Sequence, residues 1–300
     1  MRNTFWSLIA VLSLTGAAQA KLRVVATTQD LAALAREVGG DQVEVDAIAK
    51  GYQDPHFVEA KPSFLIQLSK ADLLLLVGLD LESGWLPGLI TQSRNSRIQV
   101  GVPGYLDASR GVEILERPSG TVTRAMGDVH PLGNPHYWLD PENGRAIARH
   151  IAERMTHLDP DRAAHYRAGL ADFEHRLDAA VPRWMDKARS FAGAKVVTYH
   201  NSWPNFVKRF GLDVIGYVEP RPGIPPSPAH TLSLINSMKS NAVRAILVEP
   251  YFDLKTPDAI ARATGAQVLV LSPSVGGVKQ ATDYFALFEY NLDLLIRALS

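Results

Sequence analysis

No cysteine occurs among the 300 residues of this chain. That absence removes disulfides, thiolate metal ligands, cysteine nucleophiles and cysteine-linked lipid together, so a metal site has to be built from histidine, carboxylate and water. An excess of charge is also missing. The 31 basic side chains balance 31 acidic ones and form no basic cluster, which leaves no electrostatic footprint for a nucleic-acid partner. Long hydrophobic runs are scarce as well. Beyond the N-terminus the most apolar stretch is Leu73 to Val77; that is strand-length, whereas a membrane-spanning helix needs about 20 apolar residues.

The first twenty residues read as a secretory signal peptide. Met1-Arg2-Asn3 is a short basic start, Phe5 to Leu14 an apolar stretch, and Ala18-Gln19-Ala20 a small-residue cleavage pattern. Residues 1–20 are therefore expected to be removed and the mature chain to start at Lys21, in an extracytoplasmic space and most simply a periplasm. What remains is long enough for two domains, each with its own core.

Short β-branched runs alternate with helical patterns. Leu22–Val25, Val43–Ile48 and Leu73–Val77 read as strands, with a further strand around Ile98–Val100; helices are expected over Leu31–Val38 and, behind an N1 proline at Pro62, over 63–71. This βαβ order predicts a mostly parallel sheet. From Gly101 to Asn134 the pattern weakens into a long loop with room for a short hairpin, and long loops of this kind are often functional. Asp140-Pro141 caps a helix to about His157. Asp159-Pro160 opens a second helix ending near Ser190, with Tyr166, Leu170, Phe173, Leu177 and Val181 at helical spacing. Its length of about 30 residues corresponds to roughly 45 Å, and Pro182 inside it predicts a kink. The second half repeats the style. Strands are expected over 195–199, 214–218, 245–249 and 267–271, with helices opened by Ser227-Pro228 and Thr256-Pro257 and a last helix over 283–299.

Three of the nine histidines stand in distinctive settings: Asp54-Pro55-His56, Gly133-Asn134-Pro135-His136-Tyr137-Trp138, and Thr198-Tyr199-His200-Asn201-Ser202-Trp203. Neutral imidazole is the commonest protein ligand for zinc. His200 closes one strand and Glu249 another, where ligands bind in open α/β sheets; His56 and His136 lie in loops that reach the same cleft. Each histidine also has a plainer reading as a cap or turn residue, but all three plain readings would have to hold at once. His130 is a candidate transient or auxiliary ligand on the long loop, and Trp138 and Trp203 flank two of the ligand candidates, either as a dry surround or, equally, as core anchors. His150, His157, His165 and His175 read as solvated helix residues, and His230 as structural.

These motifs, with Pro62, Trp138-Leu139-Asp140-Pro141, Asp159-Pro160 with Tyr166, Pro226-Ser227, Glu249 and Thr264-Gly265-Ala266, resemble the metal-binding periplasmic solute-binding proteins of ABC importers, the ZnuA/TroA-like group known as cluster A-I. The resemblance covers essentially all of the mature chain. It implies two four-stranded α/β lobes, over 21–158 and 191–300, joined by one long backbone helix over 159–190, with one metal ion in the cleft between them. It further implies a carrier that is not an enzyme, acts as a monomer, and hands its ion to a membrane permease.

Many members of that group carry an aspartate ligand after the last strand, where this chain reads Ser272-Pro273-Ser274-Val275-Gly276-Gly277. The expected ligand set is therefore His56, His136 and His200, with Glu249 or water as the fourth donor. Three imidazoles with at most one carboxylate suit Zn2+ better than Mn2+, which favours oxygen ligands. A manganese or other divalent-cation carrier is the near alternative. The distant one is a zinc-dependent hydrolase using Glu249 or Glu59 as general base, although the chain has no H-E-x-x-H pairing.

Overall fold

Strands β1 (Leu22–Ala26), β2 (Val43–Ala47), β3 (Leu73–Leu76) and β4 (Tyr105–Asp107) form one wholly parallel sheet in the order β2-β1-β3-β4. Between them run α1 (Gln29–Gly39), α2 (Pro62–Lys70) and α3 (Leu86–Ser93). After α4 (Pro141–Leu158) and α5 (Ala163–Ala188) the pattern recurs: β5 (Lys195–Thr198), α6 (Pro204–Phe210), β6 (Asp213–Tyr217), α7 (Pro228–Ser240), β7 (Ala245–Val248), α8 (Lys255–Thr264) and β8 (Gln267–Val270), with a parallel sheet ordered β6-β5-β7-β8 and a final α9 (Tyr284–Leu299). This computed structural model describes residues 20–120, 122–123, 126–127 and 129–300; residues 1–19 of the expected leader lie outside them.

The central strands β3, Leu-Leu-Leu-Leu, and β7, Ala-Ile-Leu-Val, are buried throughout, as strands covered on both faces must be. Their side chains divide with the two-residue period. Val24, Ala26, Leu73 and Leu75 face α1, α4 and α5, and Val25, Leu74 and Leu76 face α2 and α3. In the second lobe Val196, Ala245 and Leu247 point inward, and Val197, Ile246 and Val248 pack under α7 and α8.

The inner faces of the two sheets share one apolar core, in addition to the separate outer cluster that each lobe keeps under its own helices. Phe173, Leu177 and Trp184 of α5, Tyr284 and Phe288 of α9, and Ile147 and Ile151 of α4 belong to the same cluster. Polar bonds cross between the lobes as well. Trp138 Nε1 donates to the Pro273 carbonyl at 2.8 Å, Tyr284 Oη to the Trp138 carbonyl at 2.7 Å, and Asp140, the N-cap of α4, takes a two-pronged bond from Arg209 of α6, both contacts 2.9 Å. Asp30, buried in the first turn of α1, accepts from Val275 N at 2.9 Å and from the Ser274 hydroxyl. A continuous core tied this way resists rigid-body hinging, because any rotation would expose apolar surface and break buried bonds.

Local signals placed most elements. Asp140, Ser227 and Asp283 cap α4, α7 and α9 through their side chains, and the long helix runs on through Pro182. Four expectations need correction. The strand around Ile98–Val100 is absent: Asn95 accepts from Arg97 N at 3.1 Å and caps one 3-10 turn over Ser96–Ile98. The fourth strand is β4, inside the stretch read as loop, and a side chain on Gly104 just before it would come within 2.1 Å of the Arg97 carbonyl. Helix α3 had not been anticipated. Helix α8 starts at Lys255, two residues before Pro257, where Asp253 Oδ1 accepts from Lys255 N at 2.7 Å.

Candidate metal centre

Each of the three singled-out histidines is aimed by a local device. Asp54 Oδ1 accepts from both the backbone N and Nδ1 of His56, at 3.0 and 2.7 Å, and Trp85 Nε1 anchors the same turn through the Pro55 carbonyl at 3.0 Å. Asn134 Oδ1 does the same for His136, both contacts 3.0 Å. Its amide nitrogen is committed to Glu116 Oε2 at 3.1 Å and the Asn201 carbonyl at 2.8 Å, which fixes the oxygen as the atom facing His136. His200 follows β5 and directs Nδ1 to Glu219 Oε2 at 2.9 Å.

These partners decide the tautomers. A carboxylate or amide oxygen only accepts, so each Nδ1 carries the proton and each Nε2 keeps its lone pair. Burial acts to raise Asp54, but its interactions with His56, the side-chain hydrogen bond first, outweigh it, and its pKa lies below the usual carboxylate value. Such outer acceptors are the ordinary means of orienting imidazole toward a metal.

His56, His136 and His200 each offer a ring nitrogen lying within 4.8 Å of the other two. Their ring centroids are 5.3 to 5.7 Å apart. The His56 side chain is 7% exposed, and His136 and His200 are buried. His136 Nε2 finds no hydrogen-bond partner among the described residues. Burial first, then the facing His56 and His200, hold its pKa well below the ordinary histidine value, so it stays an uncharged donor. Three neutral lone pairs converging on one point form a ligand set for a divalent cation.

Glu249 stands apart. No group of three or more candidate metal donors among the described residues includes it. Fully buried, it accepts from Trp203 Nε1 at 3.0 Å through Oε1, and burial pushes its pKa up to about 8. The segment after β8 brings no carboxylate and is engaged by Asp30. Its Ser274 and Val275 are held on Asp30, and a side chain on Gly51 would come within 2.0 Å of the Val275 carbonyl. His130 does come in from the long loop, with Nε2 3.1 Å from His56 Nε2; burial, then His56 and His200, press its pKa down to about 4. His230 bonds the Tyr217 carbonyl at 3.0 Å and ties α7 to β6.

Sequence reasoning missed Glu219. It is 19 residues from His200, and the only hint of it was a carboxylate at the carboxyl end of a strand.

A family model described as zinc-uptake complex component A, periplasmic (ZnuA), matches residues 24–298. The manganese ABC transporter substrate-binding lipoprotein PsaA of Streptococcus anginosus is 26% identical over 289 residues, covering 93% of this chain and 90% of that relative. Among solved structures, a crystal structure of ZnuA superposes with a TM-score of 0.79 at 27% identity, over 93% of this chain and 100% of that one. The laminin-binding protein Lmb of Streptococcus agalactiae, described as having adhesin and metal-transporting activity, gives a TM-score of 0.76 at 26% identity, with 93% and 100% covered.

Proposed function

The chain belongs to the periplasmic zinc-uptake component A family of ABC-importer solute-binding proteins, and from that premise we propose that its cargo is Zn2+, held by His56, His136 and His200. It is a metal-binding substrate-binding protein of an ABC importer. In this reading it is secreted through a cleaved leader, captures zinc in the periplasm as a monomer, and delivers it to a membrane permease powered by a cytoplasmic ATPase. The lobes divide at 21–158 and 191–300 about the helix segment 159–190. No bond of a substrate is made or broken.

One observation carries the choice of metal: three imidazole nitrogens gather in a buried site, while the nearby carboxylates Asp54 and Glu219 are bonded to Nδ1 atoms and Glu116 to the amides of Asn134 and Asn201. A nitrogen-rich set supports zinc, whereas manganese draws on oxygen. Several relatives bear manganese in their names, so the reading is exposed to test. Calorimetric titration of metal-free protein is expected to give one zinc per chain, displacing manganese, with His56→Ala, His136→Ala and His200→Ala each losing affinity by orders of magnitude. Tighter binding of manganese than of zinc would end the zinc assignment. A variant with unchanged affinity would remove its residue from the site.

A further inference from the structure

We propose that His130 is the fourth metal-binding imidazole, brought by the loop between β4 and α4 to a site that closes around the ion with four nitrogens. The inference rests on reading His56, His136 and His200 as the metal site.

The contact between His56 and His130 is the starting point. His56 has its Nδ1 proton committed to Asp54, so its Nε2 presents a lone pair. His130 Nε2 faces that lone pair at 3.1 Å, with the two ring centroids 5.2 Å apart. Two imidazole nitrogens hold this distance only with a cation between them or a proton on one of them. In the metal-free protein a proton on His130 Nε2 donates to His56. Zinc–nitrogen bonds of about 2.0–2.1 Å in a tetrahedron put neighbouring donors about 3.3–3.4 Å apart, close to the separation already present.

A neutral imidazole carries one proton, and moving it from Nε2 to Nδ1 would free the His130 Nε2 lone pair for the metal with no net loss of a proton. The turn at Gly78 to Asp80, whose Asp80 lines a pocket with His56 and His130, is left-handed, with φ 78° at Gly78, 53° at Leu79 and 67° at Asp80. Glu82 clamps the turn by accepting from Val77 N at 2.7 Å and Gly78 N at 3.0 Å. Such backbone conformations are costly for residues other than glycine and gather at functional sites.

The remaining geometry agrees. His130, His136 and His200 line one cleft with Glu116, Val129 and Asn134. No carboxylate comes from the segment after β8, where Ser274 and Val275 bind Asp30 instead. Because the lobes are locked by the shared core, a loop residue is better placed than a lobe to complete the shell. Four neutral nitrogens favour zinc over manganese.

The test uses X-ray absorption at the zinc edge and chelator competition on the zinc-loaded protein, its His130→Ala and His130→Asn variants, and His136→Ala. Wild type is expected to show four imidazole nitrogens. Both His130 variants should show three nitrogens and one oxygen, a tenfold or greater loss of zinc affinity, and a narrower preference for zinc over manganese. A wild-type shell of three nitrogens and one oxygen, or a shell and affinity unchanged in both His130 variants, would overturn the inference while leaving the three-histidine reading intact. An unchanged shell in His136→Ala would instead bring down that underlying reading.

Discussion

His200 Nδ1 stands 2.9 Å from Glu219 Oε2, joining the ends of the neighbouring strands β5 and β6. The carboxylate sets the tautomer and makes Nε2 the more basic donor. Replacing an outer partner of this kind costs about 10–100-fold in metal affinity. Glu219→Gln is therefore expected to weaken zinc binding by that range, since the amide oxygen can still orient the ring but carries no charge. An affinity equal to wild type in calorimetric titration would show that His200 is positioned by other contacts.

Glu249 lies outside the cluster, bonded to Trp203. Glu249→Gln keeps an oxygen for the indole N–H and should change zinc affinity by less than about threefold, because no metal bond is lost. Its effect should appear in stability. A carboxyl raised from 4.5 to about 8 by burial binds its proton more tightly folded than unfolded, so the stability it contributes is full below the unfolded value and is lost as pH rises through about 8. Urea denaturation of the metal-free variant should show a flatter loss toward alkaline pH. A large fall in zinc affinity would return Glu249 to the ligand set.

Asp30 offers an independent test of the contact between lobes. Burial raises its pKa from 3.8 to about 7 despite the bonds from Ser274 and Val275. Stability contributed by the protonated group is present below the unfolded value and declines as pH rises through about 7. Asp30→Asn should remove that part of the slope, on the order of 4 kcal/mol at full ionisation. Equal slopes for variant and wild type, from unfolding curves between acid and mildly alkaline pH, would contradict it.

Asp140 caps α4 and holds Arg209 across the lobes; its side chain is only 6% exposed. The Arg209 side chain is 30% exposed, so losing this pair costs roughly 1–3 kcal/mol rather than the about 3–5 kcal/mol of a fully buried one, and losing the cap adds about 1 kcal/mol. Asp140→Ala should lower the unfolding free energy by a comparable amount while leaving one zinc bound per chain. Loss of stability below about 1 kcal/mol would mean that Arg209 is satisfied by solvent.

Whatever depends on neighbours in the chain was legible from the amino acids alone. The strand runs, the caps at Asp140, Ser227 and Asp283, the long helix through Pro182, and the three histidine motifs are local patterns of period, φ preference and side-chain chemistry. The bonds that aim His56 and His136 are local too, since Asp54 and Asn134 each lie two residues before the ring they hold. Tertiary structure alone decided the rest. Glu219 reaches His200 because β6 pairs with β5, and His130 reaches His56 across 74 residues. Asp30 meets Val275 across 245 residues. A core shared by both lobes forms beside the two lobe-specific clusters, and α5 and α9 contribute to it. Such contacts follow from the order of strands and the packing of helices over long chain separations, which composition and periodicity do not encode.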